Sequence, residues 1–152
     1  KKKKNFNPWF ILPGKVKGGK IMTINVNWSA KTLDEGISNM MSGAKADYER
    51  FHTSNGKKEI VPGSYGDTEL KSYDSKTNVT FGKKYIKVVQ GNGVFAFIMK
   101  EDSGHLKKGD ILKPAGFNKP SLNAARGNVL TGDYYINWTG PLYMDSQRRL
   151  RA

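Results

Sequence analysis

The sequence predicts a mainly β protein: a β-sandwich or small barrel of seven to eight short antiparallel strands, with one packed α-helix at about residues 32–51. Three observations lead to this fold class. Short apolar runs alternate with glycine-containing turns along most of the chain. One stretch carries a strong hairpin signal, and only one stretch shows sustained helical spacing.

The hairpin signal lies at Gly91-Asn92-Gly93, between the apolar runs Lys83–Gln90 and Val94–Lys100. Glycine and asparagine adopt positive φ at low cost, as a tight turn requires. Both faces of Val94–Lys100 are apolar, which is typical of a central strand. A further turn leads into a third short strand, Ile111–Lys113.

Two strands are predicted before the helix. Trp9–Leu12 is a short apolar run closed by Pro13-Gly14. Lys20–Trp28 alternates apolar and polar residues, which indicates a half-buried antiparallel strand. Gly18-Gly19 before it suits a two-residue hairpin turn.

The helix prediction depends on its first turn and on the spacing that follows. Thr32 and Glu35 have the spacing of a capping box, in which each residue satisfies a free backbone N–H. Apolar residues then recur at helical intervals as far as about Phe51. Gly36 and Gly43 weaken this helix by about 1 kcal/mol each relative to alanine.

The remaining segments are less regular. Glu59–Val61 is predicted as a brief strand, and Ser64–Thr80 as a long polar surface loop. Pro114–Arg126 is predicted as a second long loop, because its prolines, glycine and asparagines break any regular period. Gly127–Leu130 and Tyr134–Trp138 then return to strand character.

Charge divides the chain into three parts: a basic arm over residues 1–8, one β-rich domain over residues 9–144, and a basic tail over residues 145–152. The chain holds 26 Lys+Arg against 13 Asp+Glu, a net charge of +13. Such an excess favours polyanionic or acidic partners. No apolar run approaches the roughly 18 residues of a membrane span.

Residues able to carry catalysis are sparse. The chain has no cysteine, which excludes disulfides and thiolate sites, and its two histidines, His52 and His105, are far apart. Asp67, Glu69 and Lys71 resemble the metal-binding core of many nucleases, in which acidic residues hold Mg²⁺ and the lysine assists the attacking water. The resemblance covers these few residues alone.

These features favour a non-enzymatic structural protein of a large assembly, without catalytic residues, metal or cofactor. We expect an auxiliary capsid or connector component of a virus particle of the tailed bacteriophage type, located in the virion as an oligomer. Its partners would be other virion proteins or copies of itself, together with packaged nucleic acid. The alternative is a cytoplasmic, small-barrel nucleic-acid-binding module that acts through its basic, aromatic hairpin face, and a metal-dependent nuclease is the third hypothesis. The residues expected to contact a partner or nucleic acid are basic: Lys1, Lys2, Lys3, Lys4, Lys83, Lys84, Lys87, Arg126, Arg148, Arg149 and Arg151.

Overall fold

A computed structural model describes residues 24–143 in full, and the backbone of three earlier residue pairs, 12–13, 16–17 and 20–21. This part of the chain contains two α-helices, α1 (Leu33–His52) and α2 (Tyr65–Ser72), and one turn of 3-10 helix, Asp74–Lys76. Its strands are β1 (Leu12–Pro13), β2 (Val16–Lys17), β3 (Lys20–Ile21), β4 (Ile24–Val26), β5 (Thr77–Phe81), β6 (Tyr85–Gln90), β7 (Gly93–Met99), β8 (Ile111–Leu112), β9 (Pro114–Gly116), β10 (Lys119–Pro120), β11 (Tyr134–Asn137) and β12 (Gly140–Pro141). The prediction of a β-rich fold with a packed helix is confirmed.

The strands form two four-stranded antiparallel sheets and two short ribbons. The first sheet has the order β1-β4-β11-β12, and the second has the order β5-β6-β7-β8. The ribbons pair β2 with β3 and β9 with β10. Lys17 pairs with Lys20 in the first ribbon, so two residues separate its strands, as the glycine pair there predicted.

The second sheet confirms the hairpin prediction. β6 and β7 pair from Tyr85↔Met99 to Gln90↔Gly93, and Gly91 in the turn has a φ of +62°. β7 lies between β6 and β8, which makes it a central strand, and its residues 95–99 are buried. A register shift between Val88 and Val89 adds a bulge to the pair.

The main core joins α1 to both large sheets. Its buried side chains come from α1, from β4 and β11 in the first sheet, and from β6, β7 and β8 in the second, among them Met40, Ala44, Val26, Ile136, Ile86 and Ile98. A smaller cluster covers the other face of β7 and contains Phe97, Met99, Leu106 and Leu112. Both faces of β7 are therefore covered, as its two-sided apolar pattern predicted.

Helix α1 begins where the capping box predicted. The Thr32 hydroxyl accepts a hydrogen bond from the Glu35 backbone N–H at 3.1 Å, and the Glu35 carboxylate accepts one from the Lys31 N–H at 3.0 Å. Gly43 lies against the first sheet, where a Cβ would approach Val26 Cγ2 within 2.7 Å. The glycines that weaken the helix locally thus allow it to pack closely on its neighbours.

The structure corrects the prediction for residues 64–80, which form α2, the 3-10 turn and β5 instead of a loop. Ser64 caps α2 by accepting from the Asp67 N–H at 3.3 Å, and Asp67 pairs with Lys71 at 3.1 Å one turn later. α2 has no buried residue, so it lacks the continuous apolar stripe that marks a helix in sequence.

Four further strand and loop predictions also differ from the structure, and a fifth lies mostly outside the described residues. Residues 59–61 form no strand, and residues 127–130 contribute only an isolated bridge between Asp110 and Asn128. The loop predicted over residues 114–126 contains β9 and β10. The strand predicted over residues 20–28 is divided between β3 and β4, which belong to different sheets, and of the strand predicted over residues 9–12 only Leu12 is described, in β1. Within the described residues, no helix has the length and apolar character needed to cross a membrane.

Candidate interaction surface

The predicted contact residues divide between the described and undescribed parts of the chain. The basic ends lie outside the described residues, and these are Lys1, Lys2, Lys3, Lys4, Arg148, Arg149 and Arg151. Lys83 and Lys84 are exposed in the turn between β5 and β6. The structure adds Lys100 beside this turn, because its ammonium donates to the Gly82 carbonyl at 2.9 Å.

Lys87 lies on β6 and extends toward the turn between β9 and β10. Its ammonium stands 4.0 Å from the centre of the Phe117 ring and also donates to the Asn118 side-chain carbonyl. Phe117 is 59 % exposed, so this cation–π pair presents an aromatic surface to solvent. Phe117 was not predicted as a contact residue, because it stands alone in a segment without periodicity.

Arg126 does not lie on this surface. Its side chain is buried, and its guanidinium donates to the carbonyls of Ala124 at 3.1 Å and Leu142 at 2.8 Å, and to the Asn123 side chain at 2.9 Å. Burial lowers the pKa of the guanidinium. The predicted surface contact is therefore replaced by an internal one, in which Arg126 holds its own loop to the chain that follows β12.

Strand β5 forms an open edge of the second sheet. It pairs with β6 and with no other described strand. The Gly82 N–H donates to the Tyr85 carbonyl, and the Gly91 N–H donates to the Lys76 carbonyl. Hydrogen-bonded and non-hydrogen-bonded pairs alternate along an antiparallel ladder. The N–H and C=O groups of Thr77, Val79 and Phe81 therefore point away from β6. Val79 is 39 % exposed and Phe81 is 56 % exposed. The register places both on the same face as the core residues Ile86 and Val88.

The residues that resemble a nuclease core lie on α2 rather than on a buried strand. The Asp67 carboxylate accepts from the Gly63 N–H at 2.8 Å and pairs with Lys71, and these contacts lower the pKa of Asp67. The Glu69 carboxylate accepts from Lys76 and from the Tyr48 hydroxyl, both at 3.1 Å, which lowers the pKa of Glu69. Each acid thus has its own separate partners. Among the described residues, no three acidic or histidine side chains are grouped as a metal site.

Comparison with known proteins gave no match, whether with protein-family models, with curated proteins or with solved structures. The open edge of β5 and the basic surface beside it are therefore the features from which a function is inferred.

Proposed function

We propose that this chain is a non-enzymatic structural subunit of a large assembly, and that β5 is the strand through which it meets a neighbour. The observation that carries this proposal is the open, partly apolar edge of the second sheet. Proteins that act alone usually protect such an edge with a lysine, a proline or a bulge within the strand. β5 has the sequence TNVTF and contains none of these.

A strand from a neighbouring subunit would satisfy this edge in two ways. Its backbone would pair with the outward N–H and C=O groups of Val79 and Phe81 and with the Thr77 C=O, since the Thr77 N–H already donates to the Asp74 carbonyl. Its side chains would also cover Val79 and Phe81, extending the apolar face that Ile86 and Val88 begin. Pairing and burial would then favour the same arrangement of subunits.

The charge beside β5 indicates what kind of neighbour fits. Lys83 and Lys84 lie in the turn that follows the strand. Lys87 follows shortly after them in sequence, and Lys100 donates to the Gly82 carbonyl in the same turn. A cluster of one sign attracts acidic protein surfaces or nucleic acid. Virus particles combine close subunit packing with packaged nucleic acid. We therefore assign the chain to an auxiliary capsid or connector position in a particle of the tailed bacteriophage type, among other virion proteins or copies of itself.

Replacing Val79 with proline tests the edge directly. The Val79 N–H points away from β6, so proline removes no hydrogen bond of the existing ladder but blocks pairing with a new strand. We expect the wild-type chain to form oligomers through β5 and Val79→Pro to remain monomeric, as measured by light scattering during gel filtration. Val79→Thr is the matched control, since it keeps the N–H and the β-branched shape, and it should assemble like the wild type.

Thermal melting of all three proteins separates a loss of assembly from a loss of folding. A Val79→Pro variant that assembles like the wild type would contradict the proposal, and a wild-type chain that stays monomeric at every concentration would exclude copies of itself as the neighbour.

The cation–π pair of Lys87 and Phe117 favours a second candidate, a nucleic-acid-binding module. Proteins that bind single strands combine cations that follow the backbone with aromatic rings on which bases stack. Lys83, Lys84 and Lys87 would provide the cations, and Phe117 the ring. In this case the chain would bind oligonucleotides as a monomer, with a steep dependence on salt.

A further inference from the structure

A cleft of about 400 Å³ lies beside the β6–β7 hairpin, and none of its lining residues belongs to β5. Its walls come from the last turns of α1, from α2 and the 3-10 turn, from the β6–β7 hairpin, and from the turn that joins β11 to β12. A space of this size accommodates a ligand of one or two rings. No residue predicted from sequence as a contact residue lines it.

Aromatic side chains form one wall of the cleft. Trp138 packs against Tyr48 with ring centres 4.8 Å apart, and Tyr48 packs against Tyr73 at 6.0 Å. All three residues line the cleft. An aromatic face carries partial negative charge, so it attracts the weakly positive C–H groups of a saturated ring laid upon it.

The polar groups of the cleft are a balanced set. Glu69 and Lys76 form an ion pair at 3.1 Å, which leaves no net charge between them. The Gln90 amide nitrogen donates to the Thr77 hydroxyl and to the Tyr73 carbonyl at 3.4 Å, so its carbonyl oxygen remains as an acceptor. The cleft therefore offers donors and acceptors side by side, next to an aromatic surface.

Tyr73 contributes to the cleft through its ring. The residue is 3 % exposed, and its hydroxyl oxygen is buried without a hydrogen-bond partner among the described residues. A hydroxyl enclosed in this way is not open to a ligand, so the polar groups available in the cleft include those of Glu69, Lys76 and Gln90.

We propose that this cleft binds a neutral saccharide unit. A sugar ring has C–H groups on its faces for Trp138 and hydroxyls at its rim that both donate and accept, which matches the Glu69–Lys76 pair and Gln90. The two charges argue against ionic ligands, because Glu69 repels an anion and Lys76 repels a cation. This inference does not depend on the open edge of β5, and either proposal can fail without the other.

Gly93 offers a test that leaves every polar group of the cleft in place. Gly93 pairs with Gln90 across the hairpin, so a side chain at Gly93 lies on the same face of the sheet as Gln90, which lines the cleft. A Cβ at Gly93 meets nothing within 4 Å, so Gly93→Val narrows the cleft without displacing a neighbour. Gly116→Val is the matched control, since its Cβ also meets nothing and Gly116 lies on β9, away from the cleft. We would screen a glycan array and then measure binding of maltotriose, cellotriose and chitotriose by saturation-transfer NMR. Gly93→Val should weaken binding about tenfold or more, and Gly116→Val should bind like the wild type.

Glu69→Gln tests the charge argument with the same probes. The variant keeps the size of the side chain but leaves Lys76 without its counter-charge, so trisaccharide binding should fall about tenfold. Adenosine and adenosine monophosphate are the comparison ligands. The wild type should bind neither, whereas Glu69→Gln should gain affinity for the monophosphate.

Several outcomes would overturn the proposal. These are the absence of any neutral glycan signal on the array and in NMR, binding of adenosine in place of the sugars, or equal sugar binding by Gly93→Val and the wild type. Melting temperatures measured for each variant show whether a loss of binding reflects a loss of folding.

Discussion

Asp47 shows how a single buried side chain connects the helix to the wall of the cleft. Its carboxylate is buried and accepts a hydrogen bond from the Trp138 backbone N–H at 2.8 Å. Burial raises the pKa of Asp47, while this hydrogen bond and the nearby Arg50 lower it by less. The carboxylate therefore positions Trp138, although its charge is unfavourable in that environment.

Asp47→Asn separates the hydrogen bond from the charge. Asparagine still accepts from the Trp138 N–H but needs no ionised form, so the variant should be more stable than the wild type at neutral pH. The pKa of Asp47 is higher in the folded chain than in the unfolded one, so the stability gained by protonation is full below the ordinary carboxyl pKa and is lost as pH rises through the raised value. The advantage of Asp47→Asn should thus grow as pH rises, by about 1.4 kcal/mol for each unit by which the pKa is raised.

Denaturant melts between pH 3 and pH 8 measure this difference. The carboxyls with lowered pKa, Asp67 and Glu69, are present in both proteins, so their opposite pH dependence cancels in the comparison. Asp47→Ala is the contrast, since it leaves the Trp138 N–H without a partner and should cost about 1–3 kcal/mol. If Asp47→Asn lost as much stability as Asp47→Ala at every pH, the carboxylate charge itself would be required.

At this scale the sequence predicted local contacts better than distant ones. The Thr32 hydroxyl accepts from the Glu35 N–H, and the Glu35 carboxylate accepts from the Lys31 N–H, so both hydrogen bonds lie within one helical turn. The spacing of Thr32 and Glu35 alone predicted this cap. Asp47 and Trp138 are 91 positions apart, so only the assembled fold brings them together. The cleft was missed for the same reason, because its residues come from four separate segments without a shared motif.

At the scale of elements, two glycines of α1 determine how closely the helix approaches its neighbours. A Cβ at Gly36 would lie 2.5 Å from the Val129 backbone oxygen. At Gly43 the nearest atom would be a side-chain methyl, Val26 Cγ2, at 2.7 Å. Side chains shift more readily than backbone does, so the two positions should tolerate alanine to different degrees.

We expect Gly36→Ala and Gly43→Ala to destabilise the chain, although alanine improves intrinsic helix propensity by about 1 kcal/mol. Overpacking costs about 1–3 kcal/mol, and Gly36→Ala should be the worse of the two. Ser38→Ala is the matched control on an exposed position of the same helix and should change stability by less than about 0.5 kcal/mol. Denaturant midpoints measure all three, and a stabilised Gly43→Ala variant would show that the helix does not lie as close to β4 and β11 as described.

The elements that the sequence predicted are those with a strong periodic pattern of their own. Helix α1, β6 and β7 carry buried stripes, and their patterns located them. α2 and β5 have almost no buried side chains, so their polar sequences resembled a loop. β5 takes its conformation from pairing with β6, a contact between strands that periodicity within one segment does not reveal.

For the molecule as a whole, the central question is whether its positive charge acts at one surface or in bulk. The net charge of +13 attracts any polyanion, whichever lysines provide it. The nucleic-acid-binding alternative requires Lys83, Lys84 and Lys87 in particular, next to Phe117. In the assembly proposal, these lysines only provide a positive potential around the open edge of β5.

Two triple variants with equal charge decide between these possibilities. One replaces Lys83, Lys84 and Lys87 with glutamine, and the other replaces the exposed lysines Lys57, Lys58 and Lys108. Each lowers the net charge from +13 to +10, because three positive charges are removed.

If the first three lysines contact phosphates, only the first variant should flatten the salt dependence of oligonucleotide binding, by about 0.7–0.9 log units for each lost contact. The assembly proposal instead predicts that both variants lose a small and equal part of their oligonucleotide affinity. Fluorescence anisotropy across a salt series measures this affinity. A slope that falls only in the first variant, from a chain that remains monomeric, would replace the assembly proposal with the nucleic-acid-binding one.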